Sequence, residues 1–114
     1  MIIARAISIR QPWVELILRG KKKAEYRSRP TNIRERVFIY ASLAPAASPQ
    51  AWRQVGKQPD DLATGAIVGT VEIADCQWSD REGCYAYALR NPKRLRRPLY
   101  PKNQPQPGFW RPQF

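Results

Sequence analysis

Twenty-one residues, Ile7 to Arg27, constrain this chain more than any other stretch, because they confine a strand, a helix and a basic turn to fixed positions. Ile7 and Ile9 place branched apolar side chains on one face of an extended segment. Gln11-Pro12 closes that strand and opens a helix, since proline has the right fixed φ for a first helical turn and no N–H that the turn needs. Trp13, Leu16 and Ile17 recur at i, i+3 and i+4 as one apolar stripe, while Glu15 and Arg19 form a favourable pair four apart on a more solvated face. Gly20 stands where a left-handed cap ends a helix, and Arg19 and Lys21 put positive charge at the negative end of its dipole. The helix is therefore short, and it delivers Lys21, Lys22 and Lys23, then Glu25-Tyr26-Arg27. Period-two alternation turns Glu25 and Arg27 to one face and Ala24 and Tyr26 to the other. A long cation beside an acid-base pair on a rigid turn predicts a pocket for an anion or a polar base.

The remaining elements are short. Val37-Phe38-Ile39-Tyr40 reads as a central strand, Pro49 to Val55 as a brief helix capped by Ser48 and stopping near Gly56, and Ala66 to Ile73 as the clearest strand in the chain. Gly69 within that strand marks a bulge or a close backbone approach. Asp75 to Gly83 reads as a polar loop, Tyr85 to Leu89 as a strand, and everything from Asn91 as loop, because Pro92, Pro98, Pro101, Pro105 and Pro107 interrupt it before a short terminal strand near Phe109-Trp110. At 114 residues the chain is one domain, 1–114, of α+β class, built on a curved and mainly antiparallel sheet with two short helices. No apolar run approaches a membrane span and no leader is signalled, so a cytoplasmic protein with no membrane partner is expected.

The net charge of +11 is unevenly spread. Residues 1–36 carry ten cations against three acids, 37–89 carry three against six, and 90–114 carry seven against none. Two basic ends around an acidic middle favour a polyanion, RNA or DNA, over a neutral partner. With no histidine, Ser-His, Cys-His and zinc-histidine centres are excluded, and Cys76 and Cys84 are too few for a four-thiolate zinc site. No cofactor is expected, except a divalent metal if the chain were a nuclease and Glu25, Glu72 and Asp75 met in space. The two cysteines are expected to be reduced and buried.

The segment SIRQPWVELILRGKKKAEYRSR resembles the opening of the ASCH (ASC-1 homology) domain family, in which a strand and an RQPW-like turn lead into a helix that ends at a G-x-K-x-x-E-x-R motif. On this chain the motif falls on Gly20, Lys22, Glu25 and Arg27. VFIYAS at 37–42, AIVGTVEIADC at 66–76, NPKRL at 91–95 and GFW at 108–110 extend the likeness over nearly the whole length. The resemblance implies a PUA-like fold, a small β-barrel with helices packed against it. It also implies binding of RNA or DNA, or membership of a transcriptional coactivator. Some small bacterial members of this kind hydrolyse acetylated cytidine or RNA. The amidohydrolases among them are similar to this chain at Lys22 but carry threonine where it has Glu25.

Three readings follow. In the first, a binding module for nucleic acid, most of all RNA, Lys22 and Arg27 hold a phosphate or carbonyl, Glu25 accepts from a base amino group, and Trp13 or Tyr26 supports or stacks. Lys21 and Lys23 supply general electrostatic attraction, and Arg10 either forks onto a phosphate or pairs with Glu15 or Glu35. Trp78 and Trp110 are candidate stacking platforms, and Arg94, Arg96 and Arg97, with their basic neighbours, form the rim. The plainer alternative is that Glu25 and Arg27 bond each other and knit the turn to the sheet. In the second reading, an amidohydrolase for N4-acetylcytidine or a similar nucleoside, Lys22 is nucleophile or general base, its pKa lowered by Lys21, Lys23, Arg27 and burial, and Glu25 moves protons. In the third, the domain binds a protein partner. Oligomeric state is open.

Overall fold

The computed structural model describes residues 2–114. It has six strands and two helices in the order β1 (Ala6–Ile9), α1 (Trp13–Leu18), β2 (Ala24–Arg27), β3 (Arg36–Ala41), α2 (Pro49–Val55), β4 (Ala66–Ser79), β5 (Cys84–Leu99) and β6 (Phe109–Trp110), with one 3₁₀ turn at Pro59–Asp61. The strands form one sheet, ordered β2-β5-β4-β3-β1-β6, antiparallel throughout except between β1 and β3. Ile7, Ile9, Val37, Ile39, Val71 and Ile73 meet Val14 and Ile17 of α1 in the main core. Helix α2, capped by the Ser48 hydroxyl and ended by Gly56 at φ 69°, packs Ala51 and Val55 on Leu16. Among the described residues no helix is long and apolar enough to cross a membrane.

The sheet is not closed, which corrects the expected barrel. β2 and β6 are its two edges and share no ladder. β6 has two residues and covers only Ala6 and Ile7 of β1, and beyond it Ser8 N–H donates to the Gly108 carbonyl at 3.1 Å. Curvature still brings the far edge round: Arg27 on β2 donates from Nη2 to the Ser8 carbonyl at 2.6 Å, a side-chain bond across the seam that a closed barrel would seal with backbone.

Two further expectations change. β4 runs on to Ser79, and a four-residue turn closed by Gly83 N–H on the Ser79 carbonyl joins it to β5. β5 continues through Pro92 and Pro98 instead of ending before Asn91. The ladder explains why. β4 and β5 slip register at three places, and both prolines fall between paired positions, Arg90 and Lys93 on one side and Arg94 and Leu99 on the other. A residue at a bulge donates no ladder bond, so proline loses nothing there. Gly69 lies at one slip and also at a close approach, where a Cβ would come 2.5 Å from Leu18 Cδ2 and 2.8 Å from the Lys93 carbonyl. Cys76 and Cys84 are free and only partly buried.

Candidate nucleic-acid interface

The motif is delivered by a helix of six residues that is held at both ends. Gln11, buried, accepts from Glu15 N–H through Oε1 at 3.1 Å and donates from Nε2 to the Ala63 carbonyl at 3.0 Å, so its amide caps the first turn. At the other end Gly20, at φ 75°, donates to the Ile17 carbonyl at 2.9 Å while Lys21 N–H reaches back to Leu16 at 2.9 Å. This paired closure needs a left-handed residue after the helix, and glycine adopts that conformation at least cost. Lys22 N–H also bonds the Leu16 carbonyl at 3.1 Å, which fixes where its side chain begins.

β2 follows the expected alternation. Glu25 is buried, Arg27 partly buried and Tyr26 exposed. Glu25 Oε2 accepts from Arg27 Nε at 3.0 Å and Nη2 at 2.8 Å, and the Lys22 ammonium stands 3.9 Å from Oε1. That ammonium also lies 4.8 Å from the Tyr26 ring centre and 5.9 Å from that of Trp13. Burial lowers the Lys22 pKa from its ordinary value of 10.5; Glu25 and Glu82 oppose the shift and Arg27 adds to it. The cause is thus mainly desolvation, not the neighbouring Lys21 and Lys23.

The acid-base pair that knits the turn is therefore present, and it also faces open space. A cavity of about 560 Å³ lies along the seam of the sheet, walled by Glu25, Arg27, Arg10, Trp13, Tyr40 and the Pro105–Gly108 loop. A second, of about 400 Å³, shares Trp13 with the first and is lined by Lys21, Lys22, Lys23, Tyr26 and residues of α2. Arg10 is exposed and pairs with neither Glu15 nor Glu35, which are taken by Arg19 and Arg94 and by Arg5.

Two sequence candidates are corrected. Trp110 is only 5% exposed, donates from Nε1 to Ser8 Oγ at 2.9 Å and sets its ring edge against Tyr40, so it has no free face for a base. Arg94 forks onto Glu15 of α1, Nη1 to Oε1 and Nη2 to Oε2, both at 2.9 Å, and so ties β5 to the helix. Glu15 itself is buried rather than solvated. Burial alone would raise its pKa, but hydrogen bonds from Arg94 and Arg19 outweigh it and hold the carboxyl below its ordinary value.

Trp78 is exposed on the β4–β5 hairpin against Tyr85, and neither it nor Arg96 and Arg97, also exposed, lines either cavity. The two basic blocks do touch, since Arg94 of the second bonds Glu15 of the first. Sequence reasoning missed Ser8, Tyr40 and Gln106 as wall residues; an alternating strand and a proline-rich loop announce no pocket until the seam brings them together. Among the described residues no three acids or thiols gather as metal ligands, and Glu25, Glu72 and Asp75 form no such group.

The model of the ASCH domain family matches residues 7–108. The chain is 36% identical over 81 residues to human Activating signal cointegrator 1 and 35% identical to the mouse protein, in each case over 61% of this chain and 14% of that protein. It thus spans a small part of the curated relatives it matches. A crystal structure of ASCH from Zymomonas mobilis superposes with a TM-score of 0.63 over 94% of this chain and 85% of that one, at 16% identity, a likeness of fold.

Proposed function

The chain belongs to the ASCH domain family, and we propose that it binds RNA by seating one nucleobase in the seam cavity beside Glu25 and Arg27. The family is generally associated with RNA binding, and the charge layout supports the same class of ligand. One observation carries the reading. Glu25 is a buried carboxylate anchored through Oε2 by Arg27, and it lines an open cavity; among the described residues its Oε1 accepts no hydrogen bond, with the Lys22 ammonium 3.9 Å away. Such an oxygen is suited to accept from a base amino group. Arg27 Nη1, which donates no hydrogen bond among the described residues, is suited to donate to a ring carbonyl beside it. Adenine, cytosine and guanine carry an amino group on that edge; uracil does not.

Fluorescence anisotropy with eight-nucleotide RNAs tests this. Glu25→Gln should weaken a cytosine-rich or guanine-rich strand by roughly 5- to 150-fold, the value of about 1–3 kcal/mol for a paired base contact, and leave a uracil strand nearly unchanged. Equal effects on all strands would overturn the base pocket. A matched DNA competitor reports which nucleic acid is preferred.

A second reading is favoured by the Lys22 amine, whose pKa is lowered beside a carboxylate. Under it the chain hydrolyses N4-acetylcytidine, Lys22 acting as nucleophile or base. Turnover to cytidine should then rise with pH through a value below that of ordinary lysine and vanish in Lys22→Ala. Absence of cytidine by chromatography removes this reading.

A further inference from the structure

The second cavity differs in chemistry from the first. Lys21, Lys22 and Lys23 share its wall with the amide side chains of Gln50 and Gln54, and no Asp or Glu lines it. Lys21 and Lys23 are exposed, and among the described residues neither has a carboxylate partner. Lys22 is set apart, partly buried between Trp13 and Tyr26 and turned to Glu25. Trp13 lines both cavities, and the Lys22 ammonium of the second stands 3.9 Å from the Glu25 carboxylate of the first.

We infer that the second cavity is a phosphate subsite of the same binding site. It takes the phosphodiester next to the nucleotide whose base enters the seam cavity. The inference rests on the base-pocket reading and narrows it, because the ligand is then a nucleotide within a chain, or a nucleoside monophosphate, and not a free nucleoside. Ammonium groups on flexible stems meet a phosphate as point charges, without the fixed fork that an arginine would demand. The amides of Gln50 and Gln54 add neutral donors for the remaining phosphoryl oxygens. An acid in this wall would repel the ligand, and none is there.

The test titrates the whole chain with cytidine, cytidine 3′- and 5′-monophosphates and an eight-nucleotide RNA, using calorimetry at low and physiological salt. The variants are Lys21→Gln/Lys23→Gln, which keeps side-chain bulk at two exposed positions, and Glu25→Gln. One of the two monophosphates should bind the parent more tightly than cytidine does, and the double variant should bind both alike. Loss of the one phosphate contact should make the octamer's log K against log salt shallower by about 0.7, so the affinity ratio between 50 and 200 mM salt shrinks by about 2.6-fold. An unchanged slope together with a retained phosphate preference overturns the subsite.

An abasic sugar-phosphate tetramer separates this inference from the base pocket. If the parent ignores cytidine but binds the tetramer, and the double variant loses that binding while Glu25→Gln keeps it, the base pocket falls and the phosphate subsite stands. If the tetramer binds parent and double variant equally, the subsite falls whatever cytidine does.

Discussion

Replacing Arg94 with methionine should reduce stability and spare RNA affinity, although Arg94 sits among five cations in eight residues. Its guanidinium is about half exposed, with 52% of the side-chain surface accessible, but the Glu15 carboxylate it grips is only 9% accessible. Without Arg94, Glu15 Oε1 loses its donor, while Oε2 keeps Arg19 Nε at 2.8 Å. Hydrogen bonds to charged groups contribute about 1.5–3 kcal/mol, and solvent screening at Arg94 brings the expected loss for the pair of bonds to about 2 kcal/mol. For a domain of this length that is a fall of about 8 °C in Tm. Urea unfolding followed by tryptophan fluorescence reads it directly. A cycle with Glu15→Gln should return a coupling of about 1.5 kcal/mol.

The pH dependence has a definite sign. The folded-state pKa of Glu15 lies below its ordinary 4.5, so its contribution is complete above that value and is lost as pH falls through the folded-state pKa. In Arg94→Met the Glu15 pKa moves back up toward its unfolded value, so the acid loss due to Glu15 should shrink and the stabilities of the two proteins should converge as pH falls below the parent's folded-state pKa. Arg96→Met is the control: an exposed side chain without a carboxylate partner among the described residues, it should change stability by less than about 0.5 kcal/mol and flatten the RNA salt slope by about 0.7. If Arg94→Met leaves the unfolding midpoint in place and weakens RNA as much as Arg96→Met does, the assignment of Arg94 to the scaffold is refuted.

Lys22→Ala should weaken binding of mixed-sequence RNA well beyond Lys57→Ala, an exposed lysine that lines neither cavity; equal losses would deny the motif any special part. Gly69→Ala should destabilise the fold by about 2 kcal/mol, since one of the atoms its Cβ would meet is the Lys93 backbone carbonyl, which cannot swing aside; an unchanged Tm would mean the β4–β5 slip is softer than its contacts indicate.

Local signals made the motif readable. The Pro12 turn, the cap at Gly20, the alternation of Glu25 and Arg27 and the Ser48-Pro49 helix start each depend on a few adjacent residues, and all four lie where spacing puts them. What spacing hid depends on distant partners. Arg94 meets Glu15 across 79 positions, and nothing in NPKRLRR distinguishes it from Arg96. Spacing puts Glu15 on the more solvated side of α1, yet Val14 and Glu15 are buried along with Leu16 and Ile17, because β5 covers the helix flank. Trp110 belongs to a two-residue strand, too short for any period to show. The prolines of β5 are tolerated only because of its register against β4, a relation between two strands that neither strand's sequence states alone.

The gap between β2 and the β1–β6 edge is spanned by the guanidinium of Arg27 where a sixth set of main-chain bonds would otherwise lie. A guest in that gap touches both margins of one sheet at once and so behaves as a clasp. Its arrival should slow deuterium uptake at amides of Ala24–Arg27 and of Phe109–Trp110 together, two segments remote in sequence, and its departure should release them in the same step.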